Sequence, residues 1–239
     1  MAKTLYLRLE APLQSWGERS RWVDRDTAPI PTKSGVVGLI ACAAGKSDDV
    51  TIRQWSLSTR MGVRIDAPGM EIQDFYTIGA GYEAGQGPLR QAEDGKLKSK
   101  NKLGHKWYLA DASFLVALQP LLSVDWSLID EMAAALQHPQ WVIYLGRKCC
   151  PPGRPVYAGV GEYNDLETAL AYGPWTDPAL FPKPADPLLR AEIECARQDA
   201  DAERQDVLTS RQFRTFERRY TRTVRIRLST EETKEAADG

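Results

Sequence analysis

Histidine is scarce, with 2 in 239 residues, so imidazole chemistry has only His105 and His138 to draw on. His138 precedes Pro139 at the predicted end of a helix, where a cation simply suits the helix dipole. Cysteine is sparse as well: Cys42, Cys149, Cys150 and Cys195, with no C-x-x-C pair to hold a structural zinc. Adjacent residues such as Cys149 and Cys150 rarely reach disulfide geometry, so a reduced, cytoplasmic protein without metal or cofactor is expected. No apolar run approaches the ~20 residues of a membrane span; the longest, Gly35–Gly45, falls far short. Met1–Glu10 has neither an apolar core nor a small-residue cleavage site, so no signal peptide and no membrane partner are expected. Charge of one sign is also missing: 31 basic against 32 acidic residues leave a net charge of −1, which points to no class of partner.

What is present is ordinary globular material, 43% hydrophobic and 26% charged. A chain of this length buries about 70% of its unfolded surface and needs no staple. The charges, though, fall in blocks. Lys96–Lys106 holds five lysines and no acid, Arg211–Arg227 seven arginines and one glutamate, and Asp186–Asp206 seven acids and three arginines. Sorting of this kind marks separate contact surfaces or solvated faces.

Along the chain, Thr4–Leu9 alternates as a strand does, and so does Met61–Ile65. Between them Thr32 or Ser34 caps a helix over Gly35–Ala44, apolar nearly all round and hence buried, with Gly45 to end it. Residues 79–106 are rich in glycine and lysine and lack periodicity, the mark of a loop that is functional or disordered. Ala112–Leu118 reads as a buried strand, Asp125–His138 as a helix, and Trp141–Leu145 and Pro155–Val160 as further strands. The order β-α-β, insertion, β-α-β is the α+β, ferredoxin-like pattern. Five prolines between Tyr172 and Leu188 mark a linker or meandering segment, Arg211–Leu228 reads as a β-hairpin, and the tail from Ser229 as disordered.

Enzymatic motifs are weak. Gly45-Lys46-Ser47 ends like a P-loop, but Ile40 stands where that motif needs glycine. Gly79–Ala84 mimics a dinucleotide fingerprint but leads into no helix. The carboxylates Asp24, Asp26, Asp48 and Asp49 occur only as loop pairs. Nucleic-acid binding fits better. Tyr6, Trp16, Trp22, Tyr76 and Tyr108 are stacking candidates. Arg19, Arg21, Arg25, Lys33, Lys98, Lys100, Lys102, Arg147 and Lys148 are phosphate candidates. Gly146 permits close backbone approach, and the Gly35 helix offers its free N–H groups.

Six segments then carry a resemblance: Leu13-Gln14-Ser15-Trp16-Gly17, Pro31–Leu39, Asp74-Phe75-Tyr76-Thr77, Tyr108–Phe114, Tyr144–Pro151 and Arg211-Gln212-Phe213. In this order, over about residues 4–215, the chain resembles the CasD family of type I-E CRISPR Cascade complexes, within the RAMP superfamily. The resemblance implies a modified ferredoxin-like (RRM-like) domain over residues 1–170, with a thumb insertion over about 79–106. It also implies a small C-terminal β appendage over 171–228, ahead of a tail at 229–239. It implies a non-catalytic subunit that holds the 5′ handle of the guide RNA and caps one end of the complex. Such a subunit touches the backbone subunit CasC and the large subunit CasA, and meets target DNA only through the complex. Cleavage of the precursor RNA belongs to another subunit, CasE.

Carried over, Gln14, Ser15, Trp16 and Gly17 would line the handle path, and Thr32, Lys33 and Ser34 would meet phosphate. Tyr144, Leu145, Gly146, Arg147 and Lys148 would form the glycine-containing handle loop, with the thumb lysines Lys98, Lys100 and Lys102 beside the RNA. Arg25 and Tyr76 complete the expected RNA-binding set. A type I-C relative cleaves its own precursor through tyrosine, lysine and histidine. That keeps an alternative open, a metal-independent endoribonuclease using His105 with Lys106 or Tyr108. A scaffold touching only proteins is the third reading.

Overall fold

The computed structural model describes residues 1–18, 24–78, 90–91, 97–98, 102–122, 126–176, 179–184, 188–210 and 213–229. In chain order its elements are β1 (Ala2–Gln14), β2 (Asp24–Arg25), α1 (Lys33–Ala43), α2 (Asp49–Ser58), β3 (Thr59–Ala67), β4 (Met70–Ile78), β5 (Arg90–Gln91), β6 (Leu97–Lys98) and β7 (Lys102–Pro120). They continue with α3 (Trp126–Gln137), β8 (Tyr157–Tyr163), α4 (Leu166–Tyr172), β9 (Leu188–Glu194), β10 (Ala202–Ser210) and β11 (Thr215–Arg227).

β7 organises the sheet. β1 runs antiparallel along one edge of it, from Leu5 opposite Leu118 to Gln14 opposite Leu109. Along the other edge β3 pairs Pro120 to Ser113, and β4 then takes over from Ala110 to Lys102. The strands lie in the order β10-β11-β9-β3-β7-β1-β8, with β2 and β4 attached to β7. The result is a mixed α/β architecture with one large, mainly antiparallel sheet and few helices.

Alternation explains how the sheet is covered. Leu5, Leu7 and Leu9 share a face with Phe114, Val116, Leu118, Met61 and Val63, under α1, α2 and α3. Tyr6, Leu115 and Ala117 point the other way, against Leu166, Ala169 and Leu170 of α4. With both faces buried, β7 reads as a continuous apolar run over Ala112–Leu118. α1 begins at Thr32, whose hydroxyl accepts from the Gly35 N–H, and is followed by Gly45 at φ 66°.

Several expectations change. Trp141–Leu145 forms no strand: Trp141 and Val142 are 48% and 82% exposed, and only Leu145 is buried. Lys102–Lys106, read as insertion, belongs to β7, whose hairpin with β4 reaches Ile78 and Lys102. Most of 79–101, the tail at 230–239 and the expected cap Asp125 lie outside the described residues. The C-terminal strands are continuous with the main sheet, because Ile193 of β9 pairs Gly62 of β3.

The charge blocks meet across those strands. Arg219 grips Asp206 at 2.6 and 2.9 Å, Arg204 grips Glu192 at 2.7 Å, and Arg218 lies 3.3 Å from Glu203. Arg218 and Arg219 of the basic block thus pair with the acidic block, Arg204–Glu192 is a pair within the acidic block, and the least exposed are Arg219–Asp206 and Arg204–Glu192. Buried pairs of this kind add little net stability but penalise any register that separates them.

Candidate nucleic-acid interface

Two loops meet where β1 ends. The Ser15 N–H donates to the Leu145 carbonyl (3.1 Å), while Cys150 and Leu145 close the second loop through Leu145 N–H to Cys150 O and Cys150 N–H to Arg147 O, both 2.8 Å. Gly146 sits at the crossing with φ 93°, and a Cβ there would overlap the Ser15 carbonyl oxygen. Glycine is required on both counts, by its backbone angle and by the approach of the two chains.

Arg147 braces this crossing. Its guanidinium donates to the carbonyls of Trp107 (3.0 Å), Arg25 (2.8 Å) and Asp26 (3.4 Å), and lies 4.5 Å from the Tyr108 ring centre. One side chain thus ties β7, β2 and the glycine loop together. Its donors are spent on protein carbonyls, so the expected phosphate ligand is a structural clamp here.

Other carried-over residues also face inward. Trp16 is 1% exposed, packs on Gly35 and donates from Nε1 to Gln14 Oε1 (3.1 Å). Gln14 in turn donates to the carbonyls of Ala112 (2.7 Å) and Leu9 (3.1 Å). Both residues are buried and back the end of β1 rather than lining a surface. Lys33 is 2% exposed; its ammonium binds Glu194 (2.9 Å) and the Thr59 carbonyl (2.6 Å). Asp206 accepts the Lys33 backbone N–H (2.8 Å), so an internal carboxylate already holds the α1 N-terminus where phosphate was expected. Burial pushes the Lys33 ammonium toward its neutral form, and Glu194 opposes that shift. Thr32 and Leu145 are buried, while Ser34 and Tyr144 are half-buried. Arg19, Arg21, Trp22, Lys100 and the side chains of Lys98 and Lys102 lie outside what is described.

The groups left facing outward surround a cleft of about 480 Å³. Ser15, Gly17 and Glu18 form one side, Arg25 and Asp26 a second, and Gly146 with Arg147 the base. Gln205, Arg214 and Phe216, from β10 and β11, close it. Sequence reasoning did not place these last three; the Arg211–Arg227 block was the one signal, and it gave no partner. A larger cleft of about 830 Å³ lies beside α4, but its Arg222 pairs with Glu167 (3.2 Å) and its Glu194 with Lys33. Beside the smaller cleft, Lys106 lies 4.2 Å from the Tyr76 ring centre on the β4–β7 hairpin.

The endoribonuclease trio is not assembled. Along β7, Lys106 and Tyr108 share one face and His105 points to the other, as strand alternation demands. His105 is registered against Phe75 and Asp24, and its buried Nδ1 has no hydrogen-bond partner among the described residues. No group of three or more potential metal-binding side chains occurs among the described residues, and none of their helices is long and apolar enough to cross a membrane.

Cys149 stands apart chemically. Its exposed thiol lies 3.5 Å from the Tyr108 hydroxyl and 4.0 Å from Cys150 Sγ. The Tyr108 hydrogen bond holds its pKa below the usual thiol value, whereas burial pushes Cys150 up to about 11. A lowered pKa means more thiolate at neutral pH. Iodoacetamide should therefore modify Cys149 before Cys150, with a rate–pH midpoint below that of a free thiol, and Tyr108→Phe should move the midpoint up. Peptide mass mapping across pH 6–10 checks this; equal labelling of the two thiols would contradict it.

The family described as CRISPR-associated protein (Cas_Cas5) matches residues 4–227. The CRISPR system Cascade subunit CasD of Escherichia coli (strain K12) is 31% identical over 182 residues, covering 71% of this chain and 76% of that protein. Among solved structures, a chain of a CRISPR RNA-guided surveillance complex superposes with a TM-score of 0.73 at 26% identity, over 94% of this chain and 90% of its own. A structure titled as a Cas protein gives 0.65 at 31% identity, over 94% and 95%. With a family match from the first strand to the last, the chain belongs to the CRISPR-associated Cas5 family.

Proposed function

We propose that this chain is a non-catalytic subunit of a type I-E Cascade complex. It binds the 5′ handle of the guide RNA, caps one end of the assembly, and contacts the CasC backbone and CasA large subunits. The carrying observation is the cleft at the crossing of the Ser15 and Gly146 loops, lined by Ser15, Gly17 and Gly146 together with three arginines, two carboxylates and Phe216. Such a surface suits single-stranded RNA: phosphates set the register, and backbone amides and carbonyls read splayed bases. The β3-β7-β1-β8 order, with α1 and α3 as the crossings, supports the ferredoxin-like reading of residues 1–170. The 171–228 strands then extend that domain at its β3 edge.

Lys148 is exposed on the rim of the glycine loop, whereas Arg147 is a brace. Lys148→Glu is therefore the cleaner test. It should leave the melting temperature unchanged and weaken repeat-derived RNA about tenfold. The salt slope should fall by about 0.7 for each single-strand phosphate that is no longer neutralised. Fluorescence anisotropy at two salt concentrations measures both effects. Wild-type affinity and slope in the variant would overturn the assignment.

A further inference from the structure

We infer that the entry to β11, residues 213–216, is a working wall of the handle cleft, with Arg214 as its phosphate-contacting cation and Phe216 as an apolar surface for a base. The inference rests on the handle-binding reading above and adds a part of the chain that neither motif nor family match assigned to RNA.

The first argument is the state of each charge in the cleft. Glu18 faces Arg204 at 3.4 Å. Arg147 is spent on three carbonyls and the Tyr108 ring. Arg25 and Asp26 each have a protein partner. Arg214 is exposed, and its side chain forms no ion pair with another described residue. Of the three arginines lining the cleft, its charge is the one left uncommitted. Within the basic block Arg218, Arg219 and Arg222 are matched by Glu203, Asp206 and Glu167, whereas Arg225 is unmatched among the described residues but lines the other cleft.

The second argument is positional. The described residues on either side are bonded to one another: Ser210 Oγ donates to Asp49 Oδ2 at the start of α2 (3.0 Å), Phe213 N–H donates to Ser210 Oγ (3.3 Å), and Thr209 Oγ1 donates to the Thr215 carbonyl (2.9 Å). Arg214 itself has φ 51°, the left-handed region that favours glycine. The residue that carries this cation is thus set by bonded neighbours, on a backbone that glycine would adopt with less strain. Half-buried Phe216 lies beside it in the same cleft. A cation over a main-chain floor, with an aromatic ring adjacent, is the combination by which single-stranded nucleic acid is held. At about 480 Å³ the cleft falls within the range of small-ligand sites, which fits one nucleotide.

The test uses the full chain and single-stranded RNA carrying the repeat-derived 5′ segment, read by anisotropy at 50 and 200 mM salt. Arg214→Gly removes the guanidinium and relieves the left-handed strain, so its melting temperature should equal or exceed that of the wild type. Its affinity should fall about fivefold to tenfold, and its salt slope should shrink by about 0.7. Arg214→Lys keeps the charge and should keep most of the slope. If Arg214→Gly binds like wild type while Lys148→Glu is impaired, the Arg214 assignment is overturned and the handle reading stands. If neither variant changes affinity or slope, both fall. Equal losses in Arg214→Gly and Arg214→Lys with an unchanged slope would show a non-electrostatic role and also overturn the assignment.

Discussion

Replacing Asp66 by alanine is expected to cost the fold about 3–5 kcal/mol, a large fraction of the stability of a domain this size. The Asp66 carboxylate has no solvent exposure and holds two guanidiniums. Arg64 donates from Nε to Oδ1 (2.6 Å) and from Nη2 to Oδ2 (3.1 Å), and Arg8 donates to the same Oδ2. The remaining donors of both arginines go to the carbonyls of Leu170, Gly173 and Pro174, at and just past the end of α4. Two cations at a helix C-terminus suit its dipole, but their joint burial depends on one carboxylate. Without it, two positive charges stay inside with carbonyl dipoles, the Trp175 ring beside Arg64 and the Glu10 carboxylate near Arg8 to offset them. For a domain of this size the loss corresponds to a melting temperature lower by roughly 6–20 °C. Asp66→Asn keeps hydrogen-bonding capacity without the charge and should fall between. A drop smaller than about 3 °C in the alanine variant would show that the network relaxes or admits water.

Gly146→Ala should have the largest effect on RNA binding. A non-glycine residue in that backbone region costs about 1–3 kcal/mol, and the added methyl displaces the Ser15 carbonyl. The Ser15–Leu145 hydrogen bond, about another 1 kcal/mol, then breaks as well. If opening of the crossing is local, handle affinity falls roughly 30-fold to 1,000-fold, with a small change in global stability. Gly38 provides the matched control. It lies inside α1, a Cβ there meets nothing within 4 Å, and alanine is the better helix former by about 1 kcal/mol. Gly38→Ala should therefore leave binding intact and raise the melting temperature slightly. Near-wild-type binding by Gly146→Ala would remove the crossing from the site.

Elements whose periodicity is simple were readable from the chain: the alternation of β1 and β3, the apolar run in β7, and α1 between its threonine cap and Gly45. α2 escaped because Val50, Thr51 and Ile52 give it a β-branched start, although Asp48 caps it by accepting from the Thr51 N–H (2.7 Å). α4 is 7 residues long, too short for periodicity to show. Trp141–Leu145 misled because an apolar run is not evidence of pairing; here the chain is held through Gln140 N–H to Ala43 O (2.7 Å) and Leu145 to Cys150. The site was half legible. Motif matching pointed to the glycine loop and the end of β1, which line the candidate cleft, but could not separate residues that face outward from those that build the wall. Gln14, Trp16, Lys33 and Arg147 are wall. The distal side, from β10 and β11, comes from long-range pairing, which no local pattern encodes.

The pairing of β1 with β7 also has a consequence in time. Leu5 closes on Leu118, so the first strand has no partner until the middle of the chain has been made. At roughly 5–20 residues per second, that leaves Leu5, Leu7 and Leu9 waiting on the order of 5–20 s on a nascent polypeptide. Pairing between segments this far apart in sequence slows the search for the native state and leaves an apolar strand edge open during it. The cell must therefore shield the start of this protein while the rest is translated, and yield in overexpression should respond more to holding chaperones and slower growth than to changes at the C-terminus.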